Sequence, residues 1–377
     1  MNKKAIWGII VVIIVIVLIG VSANKSKQSN TVKIGGLYLL SGPIAAVGEI
    51  ENKATQIAVD TINNAGGING KKLEVIQGDT AYDARKALSA YDNAKLSGIK
   101  LFITDGSSPA AALRKPIIDE GNFLIIPAAT TPAYFDGENR TCRIALTAKS
   151  FGPGLANLLI KDQYKRASVL LPQNEYGQGL AKEFTNAYTA QGGKVVITEF
   201  YDASPGAGDY RTSISKIKAT QNTSDALIFV QVANTIEPML NQIHELGWKK
   251  PIVSDFYTIE NPSLKNVSLA NGIEYVTYQF SSKPQPTDSV KTAAFKAEYF
   301  KRFGMYPIYT AAATYDVISI IADAVAHVGE DPRKVGDYVS SLKNYPVTTG
   351  TLTFNSDCEV ERTTAVAKIV DGQIVNE

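Results

Sequence analysis

The sequence predicts an α/β fold of two doubly wound parallel-sheet lobes. Three observations lead there. From residue 31 onward, short apolar runs alternate with segments of helical apolar spacing. The alternation restarts near residue 147. The chain has 377 residues, more than one core of ordinary size holds.

In the first half, Val32 to Leu37 reads as a buried strand with Ser41-Gly42-Pro43 at its end. Gly48 to Asn63 reads as a helix, because Ile50, Ala54, Ile57, Ala58 and Ile62 share one face and Gly66-Gly67 stops it. Strands at Lys72 to Ile76, Leu101 to Thr104 and Phe123 to Ile126 alternate with helices at Asp83 to Leu96 and Ser108 to Glu120.

In the second half, helices are expected at Phe151 to Lys161, Tyr176 to Gln191, Tyr210 to Ala219 and Thr235 to Leu246. Strands are expected at Ala167 to Leu171, Val195 to Phe200, Ala226 to Val230 and Pro251 to Ser254. Helices return at Thr292 to Phe303 and Thr310 to Val328, and strands at Thr351 to Phe354 and Ala365 to Val370. Two such βα halves face each other across a cleft at their strand C-termini, where small ligands dock.

Residues 1–30 read as a leader preceding the lobes. Lys3 and Lys4 precede the apolar run Ala5 to Val21, and Val21-Ser22-Ala23 offers small residues for a signal peptidase. The run also approaches the roughly 20 residues that span a bilayer. Cleaved signal and retained membrane-anchor helix both remain open. No cysteine follows the run, which argues against a lipoprotein. Lys25 to Asn30 reads as a polar tether, and the body from Thr31 is expected outside the cytoplasm.

Charge and motifs exclude several classes. A net charge of +2, with only short pairs such as Lys71-Lys72 and Lys249-Lys250, is unlike a nucleic-acid binder. Gly66-Gly67-Ile68-Asn69-Gly70-Lys71-Lys72 is one residue too short for a phosphate loop, lacks the Ser or Thr, and follows a helix. Gly177-Gln178-Gly179 lacks the third glycine of a dinucleotide fingerprint. The histidines, His244 and His327, have no nucleophile elbow to serve, so no catalytic residue is assigned. No cofactor is expected, and Cys142 and Cys358 have no CxxC or Cys/His cluster for a metal. In an exported chain they form either a disulfide or two isolated thiols.

The strand-end loops carry the binding chemistry. Gly106-Ser107-Ser108-Pro109 opens a helix, where free N–H groups, the dipole and hydroxyls suit a carboxylate; a plain N-cap fits as well. Pro127-Ala128-Ala129-Thr130-Thr131-Pro132 offers a carbonyl and hydroxyls at the same edge, or is an ordinary loop. Asn174-Glu175-Tyr176-Gly177 presents an aromatic from the second half.

Several runs, in order from residue 31 onward, resemble one family. They are Leu40-Ser41-Gly42-Pro43, Ile62 to Lys71, Asp119-Glu120-Gly121, Ile126-Pro127-Ala128-Ala129-Thr130, Glu175 to Gly179, Asp209-Tyr210-Arg211 and Gly350 to Phe354. The chain resembles the type I periplasmic binding proteins, in particular the leucine/isoleucine/valine-binding substrate receptors of ABC transporters. The resemblance implies two lobes joined by a three-stranded hinge, with crossings near 146, 279 and 362. Lobe 1 is then 31–146 with 279–361, and lobe 2 is 147–278 with 362–377. Cys142 and Cys358 then fall just before a crossing, a position compatible with a hinge-side disulfide.

The resemblance further implies that the Ser107 loop, with Ser108, holds a ligand α-carboxylate. Ala128 and Thr130 hold the ammonium through a carbonyl and a hydroxyl, and Tyr176 packs over the ligand. Asp255 is the nearest candidate for the acid that completes the ammonium site, one residue out of register. Two positions depart from the pattern. Val47 replaces a tyrosine, and Val232 replaces an aromatic wall residue. The expected ligand is therefore an amino acid, branched-chain or related, with an amide-type or other small polar solute as the alternative. The expected role is transport, with permease subunits as partners. A membrane-anchored sensory ectodomain is the second reading. An exported hydrolase is disfavoured by the missing nucleophile–base pair.

Overall fold

The computed structural model describes residues 30–130, 139–203, 208–231 and 234–376. The expected leader and Val232 lie outside them.

The first sheet has five parallel strands in the order β2-β1-β3-β4-β5. These are β1 (Thr31–Tyr38), β2 (Lys72–Asp79), β3 (Leu101–Thr104), β4 (Phe123–Ile126) and β5 (Thr141–Arg143). Three helices make the crossovers, α1 (Ala45–Asn64), α2 (Ala84–Lys95) and α3 (Ser107–Asp119). β3 and β4 are buried at every residue, as strands covered on both faces must be. Because β2 and β3 flank β1, the strand order reverses there, and the loops after β1 and β3 diverge to leave a crevice.

The second sheet has seven strands in the order β14-β13-β10-β9-β8-β6-β7. It contains β6 (Arg166–Pro172), β7 (Lys194–Tyr201), β8 (Ala226–Phe229), β9 (Ile252–Asp255), β10 (Glu274–Tyr278), β13 (Thr364–Val370) and β14 (Gln373–Asn376). The five from β6 to β10 are parallel, and β13 and β14 add antiparallel edges. Its helices are α4 (Ala148–Lys161), α5 (Glu175–Ala190), α6 (Arg211–Ala219), α7 (Ile236–Glu245) and the one-turn α8 (Phe256–Ile259). Here the order reverses beside β6.

The chain then returns to the first sheet. α9 (Val290–Phe303) and α10 (Tyr309–Val328) pack on α1, and α11 (Pro332–Ser341) packs on β4, β5 and α10. α10 is, among the described residues, long and apolar enough to cross a membrane. It is instead mostly buried, with only its C-terminal turn exposed, as the central core helix of this lobe. A hairpin, β11 (Tyr345–Val347) and β12 (Gly350–Leu352), follows. The N–H groups of Thr348 and Thr349 at its turn donate to the buried Asp316 of α10, at 2.7 and 2.8 Å.

The chain passes between the sheets three times, between β5 and α4, β10 and α9, and β12 and β13. Cys142 on β5 is bonded to Cys358, with Cα atoms 4.7 Å apart. The next residues, Arg143 and Glu359, form a backbone bridge and an ion pair. Two of the three passages are thus fastened together where they leave the first lobe.

Candidate functional site

The C-terminal ends of the two sheets face one another and enclose a cavity. From the first lobe it is lined by Leu39, Ile44 and Val47 after β1, Tyr82 after β2, Asp105 to Ser107 after β3, and Ala128 to Thr130 after β4. The second lobe contributes Tyr176, Tyr257 and Asn261. Its inner volume is about 50 Å³, room for a few waters. Typical ligand pockets are roughly 300–1,000 Å³, so the lobes or side chains must part to admit an organic ligand.

Local sequence explains each wall. Gly106 has φ +82°, and a Cβ there would lie 2.7 Å from the Tyr82 ring, so the turn from β3 into α3 needs glycine. Its N–H donates to the Ala128 carbonyl at 2.9 Å, tying the β3 loop to the β4 loop. Ser41 Oγ donates to Asp79 Oδ2 at 2.5 Å, fixing the β1 loop against the end of β2. Ala81 and Tyr82 are both left-handed, at φ 46° and 60°. Two adjacent non-glycine residues in that region store backbone strain, and the strain delivers the Tyr82 ring to the cavity. In the second lobe, Asn174 caps α5 through Gly177 N–H at 3.0 Å. Gly177 lets that helix close on β6, since a Cβ would lie 2.0 Å from the Pro172 carbonyl oxygen.

Ser107, Ala128, Thr130 and Tyr176 come together in this cavity, all buried. Among the described residues, Thr130 Oγ1 is buried without a hydrogen-bond partner. An unsatisfied hydroxyl of this kind costs about 1–3 kcal/mol, which a polar ligand atom can recover. The Ala128 carbonyl has one lone pair beyond the bond to Gly106. Val47 lines the apolar side beside Leu39 and Ile44.

Two expected residues sit elsewhere. Ser108 does not line the cavity; its hydroxyl donates to the Glu175 carboxylate of the opposite lobe. Being one position further along α3 turns it outward, toward the facing helix. Asp255 is fully buried one side chain away from the cavity. It caps α8, accepting from Thr258 N–H at 3.1 Å and Thr258 Oγ1 at 2.9 Å, and it accepts the Tyr176 hydroxyl. Burial pushes its carboxyl up to about 7. The one-turn α8 carries Tyr257 to the cavity and holds its ring 5.6 Å from that of Tyr176, edge to face.

Tyr82, Asp105, Tyr257 and Asn261 were not anticipated. Asp105 could have been noticed as an acid immediately before the Gly-Ser-Ser turn. Nothing local marks Tyr257 or Asn261, because α8 is a single turn.

The fold and the site define a two-lobed α/β protein with a cleft at two facing switch points. A family model described as periplasmic binding protein matches residues 31–373, and the chain belongs to that family. It is a family of substrate-binding proteins rather than enzymes. The leucine-, isoleucine-, valine-, threonine- and alanine-binding protein of Pseudomonas aeruginosa is 24% identical over 344 residues, covering 88% of each chain. The Leu/Ile/Val-binding protein of Escherichia coli is 25% identical over 332 residues, covering 86% of each. Among solved structures, the isoleucine complex of the branched-chain amino acid transporter substrate binding protein LivJ of Streptococcus pneumoniae superposes with a TM-score of 0.79 at 26% identity, over 92% of this chain and 100% of that one. A benzoate complex of a solute binding protein from R. palustris has the same fold, with a TM-score of 0.80 at 16% identity, over 92% of this chain and 95% of that one.

Proposed function

We propose that this chain is the extracytoplasmic receptor of an ABC transporter, capturing a branched aliphatic amino acid between its lobes and presenting it to membrane permease subunits. One observation carries the ligand class. The cavity combines an aliphatic wall, Leu39, Ile44 and Val47, with an unpartnered Thr130 hydroxyl at the opposite strand-end loop. A ligand with a branched apolar body and one compact polar head satisfies both. The related proteins named for leucine, isoleucine and valine support the same class.

In this reading lobe 1 is residues 31–146 with 279–361, and lobe 2 is residues 147–278 with 362–377. Ser107 and the start of α3 receive the carboxylate. The Ala128 carbonyl and Thr130 Oγ1 receive the ammonium. Tyr176 closes over the ligand from lobe 2, its hydroxyl held by Asp255. Asp255 thus acts as a positioning residue. The leader, cleaved or retained, places the body outside the cytoplasm.

Native mass spectrometry of protein purified without refolding identifies any ligand carried along, and calorimetric titration of unfolded-and-refolded protein ranks candidates. Leucine, isoleucine or valine is expected to bind with a Kd of about 1 μM or tighter, some 8 kcal/mol. Failure of every amino acid in both measurements removes this reading.

A further inference from the structure

We infer that Asp105, backed by Glu51, is the ligand's counter-charge and the residue that sets specificity for a cationic or hydrogen-bond-donating head group. The inference rests on the amino-acid reading above and names the acid that serves it.

Among the described residues, the cavity wall carries one group that can hold a formal charge near neutral pH. Among the described lining residues there is no Lys, Arg or His, and Asp105 is the only acid. Asp255, the acid expected from the resemblance, is engaged behind Tyr176 and does not line the wall. Asp105 lies at the end of β3, beside Ser107 and on the same wall as Ala128 and Thr130. A carboxylate, a carbonyl and an unpartnered hydroxyl on one wall are three acceptors, which an ammonium or amide can satisfy with its N–H groups.

Glu51 makes the arrangement proton-linked. It projects from α1 into the same buried region and is completely inaccessible. Among the described residues, neither of its carboxyl oxygens makes a well-formed hydrogen bond with a fixed N–H or O–H group. The two carboxyls are neighbours, close enough for each to respond to the other's charge and proton. Two acids so placed can bond only by sharing a proton. Burial, then the charge of Asp105, holds Glu51 well above the ordinary range, so Glu51 keeps the proton. Burial pushes Asp105 up to about 6, while the bond from Glu51 and the Gly106 N–H pull it down.

The other titratable groups facing the pair are phenols. Tyr257 of α8 and Tyr309 of α10 face Asp105, and Tyr38 of β1 faces Glu51. Burial pushes all three up, so they stay neutral while the acids titrate. Asp105 therefore carries the charge that changes on this wall near neutral pH. A cation favours its ionised form, so binding releases a proton and weakens as pH falls through about 6. An anion with no ammonium does the reverse.

The test titrates L-leucine, its deaminated analogue isocaproate and its decarboxylated analogue isoamylamine into wild type, Asp105→Asn and Glu51→Gln at about pH 5 and about pH 8. Wild type is expected to bind leucine more weakly at the lower pH. Asp105→Asn is expected to weaken leucine and isoamylamine roughly ten- to a hundredfold, to spare or improve isocaproate, and to lose the pH slope. Glu51→Gln is expected to retain leucine at the higher pH and, because an amide is a weaker donor to Asp105 than the Glu51 carboxyl, to shift the slope to higher pH. Unchanged leucine affinity in Asp105→Asn overturns the assignment alone, as does an equal loss for all three probes. Wild type that binds none of them overturns the amino-acid reading and this assignment with it.

Discussion

Arg143 and Glu359 form an ion pair one residue beyond the disulfide that joins Cys142 to Cys358. Arg143 is almost wholly buried, and its Nη1 also donates to the Ala129 carbonyl at 2.8 Å. One guanidinium therefore ties the cavity wall to the segment that carries the chain back into lobe 2.

Removing one partner strands a buried charge. Glu359→Gln is expected to cost about 3 kcal/mol. Replacing both residues with apolar ones of similar volume is expected to cost less than either single change. Urea denaturation of the two singles and the double decides it, and additive losses would show the pair to be uncoupled.

Thr130→Val separates stability from binding. Its hydroxyl has no partner among the described residues, so an isosteric methyl should leave the unliganded protein as stable or about 1 kcal/mol more so. The same change should weaken leucine about tenfold. Thermal melting and calorimetry report the two quantities independently. A loss of both would mean that Thr130 has a structural role.

Two hydrogen bonds tie the facing loops and helices of the lobes together across the cleft. Ser108 Oγ donates to Glu175, and Asn234 N–H donates to the Pro43 carbonyl at 2.7 Å. Glu175→Ala is expected to shift the unliganded population toward separated lobes and weaken ligand a few-fold, because closure then has less to hold it. Small-angle scattering should show a larger radius of gyration for the variant without ligand, and compaction when leucine is added. Identical curves would count against a moving hinge.

The contribution of Asp255 to folding stability should fall as the solution is made more alkaline across the acid-to-neutral range. Asp255 is pushed up to about 7 by burial, from an ordinary 3.8. Between those values the folded form holds a proton that the unfolded form has released, so each rise in pH favours unfolding until about 7. Asp255→Asn stays neutral in both states and should flatten that slope. Denaturation at about pH 5 and about pH 8 reads the difference, and parallel slopes in both proteins would place the titration elsewhere.

The βα alternation was readable because buried parallel strands are continuous apolar runs and their helices keep a 3.6-residue stripe. β5 and β10 were not, since TCR and EYVTY carry no such run and are strands only by pairing. α11 was missed although Asp331 caps it and Pro332 opens it, because its apolar residues are few. At the site, Ser107, Ala128, Thr130 and Tyr176 were legible as loop motifs. Tyr82 and Tyr257 depend on left-handed backbone and on a single helical turn, which residue patterns do not encode. Ser108 and Asp255 show the converse: the right residue type can face a neighbouring helix or cap a turn instead of meeting a ligand.

The bond between Cys142 and Cys358 turns the intervening chain, most of lobe 2 together with α9, α10, α11 and the β11–β12 hairpin, into a closed ring. A protease that cuts one peptide bond anywhere in that ring produces no free fragment. The two pieces stay tethered at the root of the hinge, and a once-nicked molecule migrates as a single species until the disulfide is reduced.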